Sequence, residues 1–68
     1  MTLVMNAERV RELREEKGMS KRALADAAGI SVSTAKRVER EVPVTFRTGR
    51  GVAKALGVGP SRDLGRVL

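Results

Sequence analysis

The sequence predicts an all-α domain, a compact bundle of about five short helices. Three observations lead to this prediction. The chain has 68 residues, which is enough for one domain over residues 1–68 and too few for a large core. Apolar residues recur at helical spacing, and Asn or Ser precedes several of these runs as an N-cap. Glycine or proline ends each run.

The first two helices are predicted over residues 7–17 and 21–28. Residues 1–5 before them are interpreted as a short apolar lead. Gly18 ends the first helix, because glycine readily adopts the left-handed conformation that closes many helices. Ser20 supplies the N-cap of the second helix.

The third helix is predicted over residues 32–40. Ser31 supplies its N-cap, and Pro43 limits its far end because the residue before a proline avoids the α region. Residues 41–46 alternate apolar side chains with others, which is typical of a strand. Because one strand without a partner does not form a sheet, these residues are interpreted as loop.

A fourth helix is predicted over residues 47–56. Gly49 and Gly51 weaken its first half by roughly 1 kcal/mol each relative to alanine. Ser61 then caps a last short helix. The apolar side of this last helix carries Leu64, Val67 and Leu68.

Composition argues against several classes of function. The chain has no cysteine and no histidine, so it lacks a thiol nucleophile, the usual general base and the commonest metal ligands. We therefore expect no enzyme, no metal, no cofactor and no small-molecule ligand. Phe46 is the only aromatic residue, which argues against modules that stack bases on aromatic platforms. No apolar stretch approaches the roughly 20 residues of a membrane span, and the start does not read as a signal peptide, so a cytoplasmic protein is expected.

The charge of the chain indicates the kind of partner. The formal net charge is +6, of which residues 1–34 contribute +1 and residues 35–68 contribute +5. A basic second half predicts contact with a polyanion, most simply nucleic acid. The alternative is that the charge only keeps a small protein soluble.

Residues 20–40 predict a helix-turn-helix. Two short helices are joined by residues 29–31, and the chain reversal favours the glycine at the start of this turn. Ala25 is small, which lets the second helix of the motif cross the first closely. This spacing is typical of a DNA-binding motif whose second helix enters the major groove.

The same region resembles the Cro and lambda-repressor-like family, also called the XRE family. The resemblance covers about residues 7–58 and is carried by LREEKGMSKRALADAAGISVSTAKRVERE and the later VAKALGV. It implies a bundle of about five helices in which the second and third form the helix-turn-helix. Glu41 stands where the family often has glycine.

The third helix has two different faces. Ala35, Val38 and Glu39 cluster on one side, and the opposite side is polar and basic, as a helix in the major groove requires. An ordinary amphipathic surface helix is the alternative. The family's matched positions imply DNA base contacts by Ser31, Val32, Ser33, Thr34, Lys36 and Arg37. Arg37 is the predicted main specificity residue, because a guanidinium can bind guanine O6 and N7 together.

Phosphate contacts are expected on either side of this helix. The start of the second helix offers backbone N–H groups and a helix dipole that favour an anion. The resemblance implies that the fourth helix also approaches the DNA backbone. The predicted phosphate contacts are Ser20, Lys21, Arg40, Thr45, Arg47, Thr48 and Arg50. For Lys21 and Arg50, a solvated surface charge is the alternative.

Two charged residues are predicted to be structural. Arg14 and Glu39 match the family's Arg–Glu pair, which ties the first helix to the end of the third. The resemblance therefore implies a bidentate ion pair between the guanidinium and the carboxylate.

The predicted function is a sequence-specific, double-stranded DNA-binding regulator of transcription, a repressor or Cro-like switch protein associated with the nucleoid. Such proteins usually bind inverted repeats as two-fold dimers. Residues 58–68 are a candidate dimerisation segment or, equally, the last part of the monomer's core. The candidate dimerisation residues are Val58, Leu64, Val67 and Leu68. The alternative function is an antitoxin or protein-interaction module that uses the same fold.

Overall fold

The computed structural model of the chain describes residues 2–58 and 64–67. These residues form four helices and three short strands. In chain order the elements are β1 (Thr2–Met5), α1 (Ala7–Glu16), α2 (Lys21–Ala28), α3 (Val32–Val38), β2 (Val44–Thr45), α4 (Phe46–Ala55) and β3 (Gly65–Val67).

The prediction of a small helical domain with a helix-turn-helix is confirmed, but the all-α part was wrong, because the described residues contain a sheet and four helices where about five were predicted. The three strands lie in the order β2-β1-β3, and β1 pairs antiparallel with both neighbours. Leu3 lies opposite Val44 in one pair and opposite Val67 in the other. The apolar lead is therefore the central strand, and part of the loop predicted over residues 41–46 is an edge strand.

The last predicted helix was also wrong where it can be compared, since residues 65–67 form β3. The predicted cap Ser61 and the apolar Leu68 lie outside the described residues. The antiparallel pairing of β3 with β1 explains the difference, because it satisfies backbone groups that a helix would have bonded internally.

The predicted starts of the second and third helices are confirmed. The Ser20 side chain accepts a hydrogen bond from Ala23 N–H, and Ser31 accepts one from Thr34 N–H. The cap of α4 was not foreseen: Thr45 accepts from Thr48 N–H, and the helix begins one residue earlier than predicted. The third helix ends at Val38, two residues before the predicted end.

All four described helices end in the same hydrogen-bonded turn. After α2, Ile30 N–H donates to Ala25 O at 3.0 Å and Gly29 N–H donates to Asp26 O at 3.3 Å. This pair of bonds defines the Schellman motif, in which the closing residue is left-handed. The four closing residues, all with positive φ, are Gly18, Gly29, Glu41 and Gly57.

The core lies between the helices and the inner face of the sheet. Its most deeply buried large side chains are Val10, Leu24, Val38, Val52 and Leu56. Each helix contributes at least one of them, while Met5 and Leu64 cover the core from the sheet side. Helix α3, the helix predicted to enter the major groove, packs against the core with one face, and its other face is exposed to solvent.

Candidate nucleic-acid interface

The helix-turn-helix is formed by α2 and α3, and small residues bring the two helices together. Ala25 in α2 and Ala35 in α3 are both fully buried. Gly29 has a φ of 70°, which an ordinary side chain rarely adopts. Ile30 lies half-buried against the core, so the turn is fixed at its centre as well as at its start.

The outer face of α3 is exposed and basic. Val32, Ser33, Lys36 and Arg37 are all exposed to solvent, and they form two pairs spaced by one helical turn. Among residues 2–58 and 64–67, the side chains of Ser33, Lys36 and Arg37 take part in no hydrogen bond or ion pair. Their polar atoms are therefore accessible to a ligand.

The two remaining predicted base-contact residues are bonded to each other. Ser31 Oγ and Thr34 Oγ1 lie 2.9 Å apart, and Ser31 Oγ also accepts from Thr34 N–H at 3.1 Å. Both hydroxyls thus stabilise the first turn of α3.

The first turns of α2 and α4 present backbone N–H groups without nearby acid. Neither helix has an acidic residue in its first turn, whereas α1 has Glu8 there. Exposed Lys21 lies at the start of α2, and exposed Arg47 and Arg50 lie in the first half of α4. A helix N-terminus with added cations and no carboxylate favours an anion.

Two threonines arrange the start of α4. Thr45 Oγ1 donates to Thr48 Oγ1 at 3.2 Å and accepts from Thr48 N–H at 3.2 Å. The sequence indicated these threonines only as phosphate contacts, yet their observed partners are each other. Arg40, predicted at the end of the third helix, lies in the turn beyond α3 and is exposed.

The structure brings Arg14 and Glu39 together in a bidentate ion pair. Arg14 Nε donates to Glu39 Oε2 at 2.8 Å, and Arg14 Nη2 donates to Oε1 at 3.1 Å. The side chains of Arg14 and Glu39 are only 12% and 4% exposed. The hydrogen bond to Glu39 raises the pKa of Arg14, against an opposing effect of burial. Since Glu39 caps α3, this pair holds the end of that helix against α1.

The ion pairs and the predicted interface cations lie in different parts of the fold. Each of the three ion pairs within the described residues uses an arginine of α1: Arg9 with Glu12, and both Arg11 and Arg14 with Glu39. No carboxylate partner within this part of the chain pairs with the predicted interface cations. These cations are Lys21, Lys36, Arg37, Arg40, Arg47 and Arg50. The cations predicted to contact DNA therefore carry no ion pair within the described residues.

The candidate dimerisation residues do not form one surface. Leu64 is buried and belongs to the core, and Val58 packs partly buried against it. Val67 is 60% exposed on β3, and Leu68 lies outside the described residues. Of the three described candidates, Val67 is the one whose side chain is available to a partner.

An apolar groove of about 620 Å³ separates the sheet from α4. Leu3 and Val67 line it from the strands, and Phe46 and Ala53 line it from the helix. The groove was not predicted, because its walls come from strands that the sequence did not indicate. The exposed Val67 of β3 therefore forms part of the wall of this groove.

The fold and the exposed basic face define a helix-turn-helix DNA-binding protein. A helix-turn-helix family model matches residues 10–62, which is most of the chain. The chain therefore belongs to the XRE family, the lambda repressor and Cro-like helix-turn-helix proteins, and it is a DNA-binding regulator of that type. This family binds double-stranded DNA and is generally non-enzymatic. No curated protein sequence matches the chain. None of the helices in the described residues is long and apolar enough to cross a membrane.

Proposed function

We propose that the protein is a sequence-specific repressor that reads the major groove with α3. The observation that carries this proposal is the outer face of α3, where two exposed cations have no carboxylate partner among the described residues. The opposite face of the same helix is locked into the core by Ala35 and Val38. Bound at an operator, such a domain prevents transcription by excluding the polymerase from the same DNA.

Each exposed residue of α3 has a role that its chemistry supports. Arg37 can donate two hydrogen bonds to guanine O6 and N7, and Lys36 can donate to guanine or to a phosphate. Val32 can contact a thymine methyl group, and the Ser33 hydroxyl can donate or accept at a base edge. Ser31 and Thr34 stabilise the first turn of α3 and would lie beside the major groove of the DNA.

Phosphates on both sides of the groove would be held by the other basic segments. The start of α2, with Ser20 and Lys21, supplies backbone N–H groups and one cation. The start of α4 supplies N–H groups and the second set of cations. The proposed phosphate-contact residues are Ser20, Lys21, Arg40, Thr45, Arg47, Thr48 and Arg50.

Replacing Arg37 with alanine is expected to weaken binding to the preferred duplex by about 1–3 kcal/mol, roughly 5- to 150-fold. The bidentate contact to guanine is lost, while binding to a scrambled duplex falls much less. The preferred duplex is first selected from a random library, and both affinities are then measured by fluorescence anisotropy at one salt concentration.

Lys54→Ala is the matched control, because Lys54 is an exposed cation in the last turn of α4 and is not one of the proposed DNA contacts. An equal loss on both duplexes in the Arg37 variant would make Arg37 a phosphate contact. If selection yields no preferred duplex at all, the repressor proposal fails and a protein-interaction module becomes the better explanation.

A two-fold dimer through β3 would place two such domains on an inverted repeat. Asn6 N–H donates to Leu64 O at 2.6 Å, and two residues further along the ladder Val4 lies opposite Arg66. Because hydrogen-bonded pairs alternate in an antiparallel ladder, the backbone groups of Gly65 and Val67 face the outer edge of β3. This edge has no partner strand within the described residues, and a second copy of the chain can pair with it.

Replacing Val67 with lysine is expected to abolish the dimer without unfolding the monomer. A charge on a strand edge opposes pairing with another strand, and a side chain that is 60% exposed contributes little to the core. Sedimentation equilibrium gives the oligomeric state and thermal unfolding gives the stability. Val42→Lys is the control, since Val42 is also exposed, at 41%, but lies outside the sheet. Dimerisation of the Val67 variant at the wild-type concentration would rule out this interface.

A further inference from the structure

Glu41 has a backbone conformation that is unusual for its residue type. Its φ is 58°, and it is the one non-glycine residue with positive φ in residues 2–58 and 64–67. The equivalent position after each of the other three helices is a glycine, at Gly18, Gly29 and Gly57. A side chain in this region is strained, because its Cβ approaches the following carbonyl oxygen.

The hydrogen bonds around Glu41 hold it in this conformation. Glu41 N–H donates to Val38 O at 3.4 Å, and Val42 N–H donates to Arg37 O at 3.1 Å. These bonds complete the Schellman motif at the end of α3. The turn after α3 is therefore fixed, and the Glu41 backbone is attached directly to the helix that carries the proposed base contacts.

The Glu41 carboxylate is also placed among cations. Its side chain is exposed and forms no ion pair within the described residues. Arg37 and Arg40 precede it in the same turn, and Arg47 follows at the start of α4. The Debye length is about 10 Å at 0.1 M salt, so an anion bound beside this turn feels the charges of the turn together.

We propose that Glu41 is an affinity-limiting residue, a fixed negative charge that weakens the attraction of the α3 face for DNA of any sequence. The proposal rests on the proposed function, because it needs DNA to approach this face. Strain at an exposed residue without a core contact points to a role outside stability. Sequence-independent binding depends on the charge near the phosphates. Glu41 therefore lowers affinity for preferred and scrambled duplexes alike, whereas Arg37 acts through base reading.

Two substitutions separate the charge of Glu41 from its conformation. Glu41→Gln removes the charge and keeps a side chain at positive φ. Glu41→Gly removes both the charge and the strain. Glu16→Gln is the control for loss of one exposed carboxylate, because Glu16 lies at the end of α1 and forms no ion pair within the described part of the chain.

The experiment measures affinity for the selected and the scrambled duplex at 50 mM and 200 mM salt, together with the melting temperature. At 50 mM salt, Glu41→Gln is expected to bind both duplexes about threefold or more tighter than wild type, with a smaller gain at 200 mM. Glu41→Gly is expected to show the same gain and a melting temperature about 5 °C higher. Glu16→Gln is expected to change affinity by less than about twofold.

If wild type binds a preferred duplex but Glu41→Gln binds it no more tightly than Glu16→Gln does, the proposal is overturned. A gain on only one duplex also overturns it, since a charge effect does not depend on sequence. If wild type binds no duplex at either salt concentration, the proposed function itself fails. These outcomes are distinguished by the wild-type measurement.

Discussion

Replacing Arg14 with alanine is expected to lower the free energy of unfolding by about 3 kcal/mol, the lower end of the range for breaking a buried ion pair. The Glu39 side chain, 4% exposed, would lose both hydrogen bonds from the guanidinium. Arg11 lies 3.9 Å from Glu39 Oε1 and offsets part of this loss. Arg14 also donates to Met19 O at 2.9 Å, just before the N-cap of α2.

Urea unfolding followed by circular dichroism measures the loss. Arg9→Ala is the matched control, because Arg9 pairs with Glu12 at a similar distance, 3.1 Å, but the two side chains are 45% and 52% exposed. An exposed pair of this kind contributes less than about 1 kcal/mol. Unchanged stability in the Arg14 variant would show that the buried pair does not hold α1 to α3.

A second pair of variants keeps this prediction testable if Arg14→Ala does not fold. Arg14→Lys retains the charge and loses the planar fork, so its stability is expected to lie between wild type and alanine. Replacing Arg14 and Glu39 together with leucine removes both charges, and it is expected to be less destabilising than Arg14→Ala alone, because no unpaired charge stays buried.

Features set by neighbouring residues were predictable, and features set by distant partners were not. The N-cap at Ser20 and the left-handed turn at Gly29 depend on residues within four positions, so the sequence shows them directly. The sheet depends on β1 meeting β3, whose residues are about 60 positions apart. Leu64 and Val67 fit one face of a helix by spacing alone, yet one is buried and the other is exposed.

The start of α4 shows how a signal can be present and be misinterpreted. Thr45 is a good N-cap residue, but it was interpreted only as a phosphate contact, and the helix begins one residue earlier than predicted. Gly49 and Gly51 lie inside the helix, as predicted, because tertiary contacts outweigh their low propensity there. A Cβ at Gly51 would lie 2.6 Å from Ala28 O, so this position has no room for a side chain.

Replacing Gly51 with alanine is therefore expected to destabilise the domain by about 2 kcal/mol. Alanine favours helix by about 1 kcal/mol relative to glycine, but the new methyl group meets backbone atoms of Ala28, the last residue of α2. Backbone atoms cannot rotate away as a side chain can, so α2 and α4 must move apart. Overpacking of this kind typically costs about 1–3 kcal/mol, and more where the contact is this short.

Gly49→Ala is the control that separates crowding from propensity, because it makes the same chemical change two residues earlier in α4. Its Cβ would lie 2.9 Å from Leu3 Cδ2, the mobile end of a side chain that borders the apolar groove. We expect the free energy of unfolding of this variant to lie within about 1 kcal/mol of the wild-type value. Equal stability of the two variants in urea unfolding would mean that Gly51 does not set the distance between α2 and α4. If Gly51 does set it, its alanine variant should also bind DNA more weakly, because α2 supports α3 and α4 carries Arg47 and Arg50.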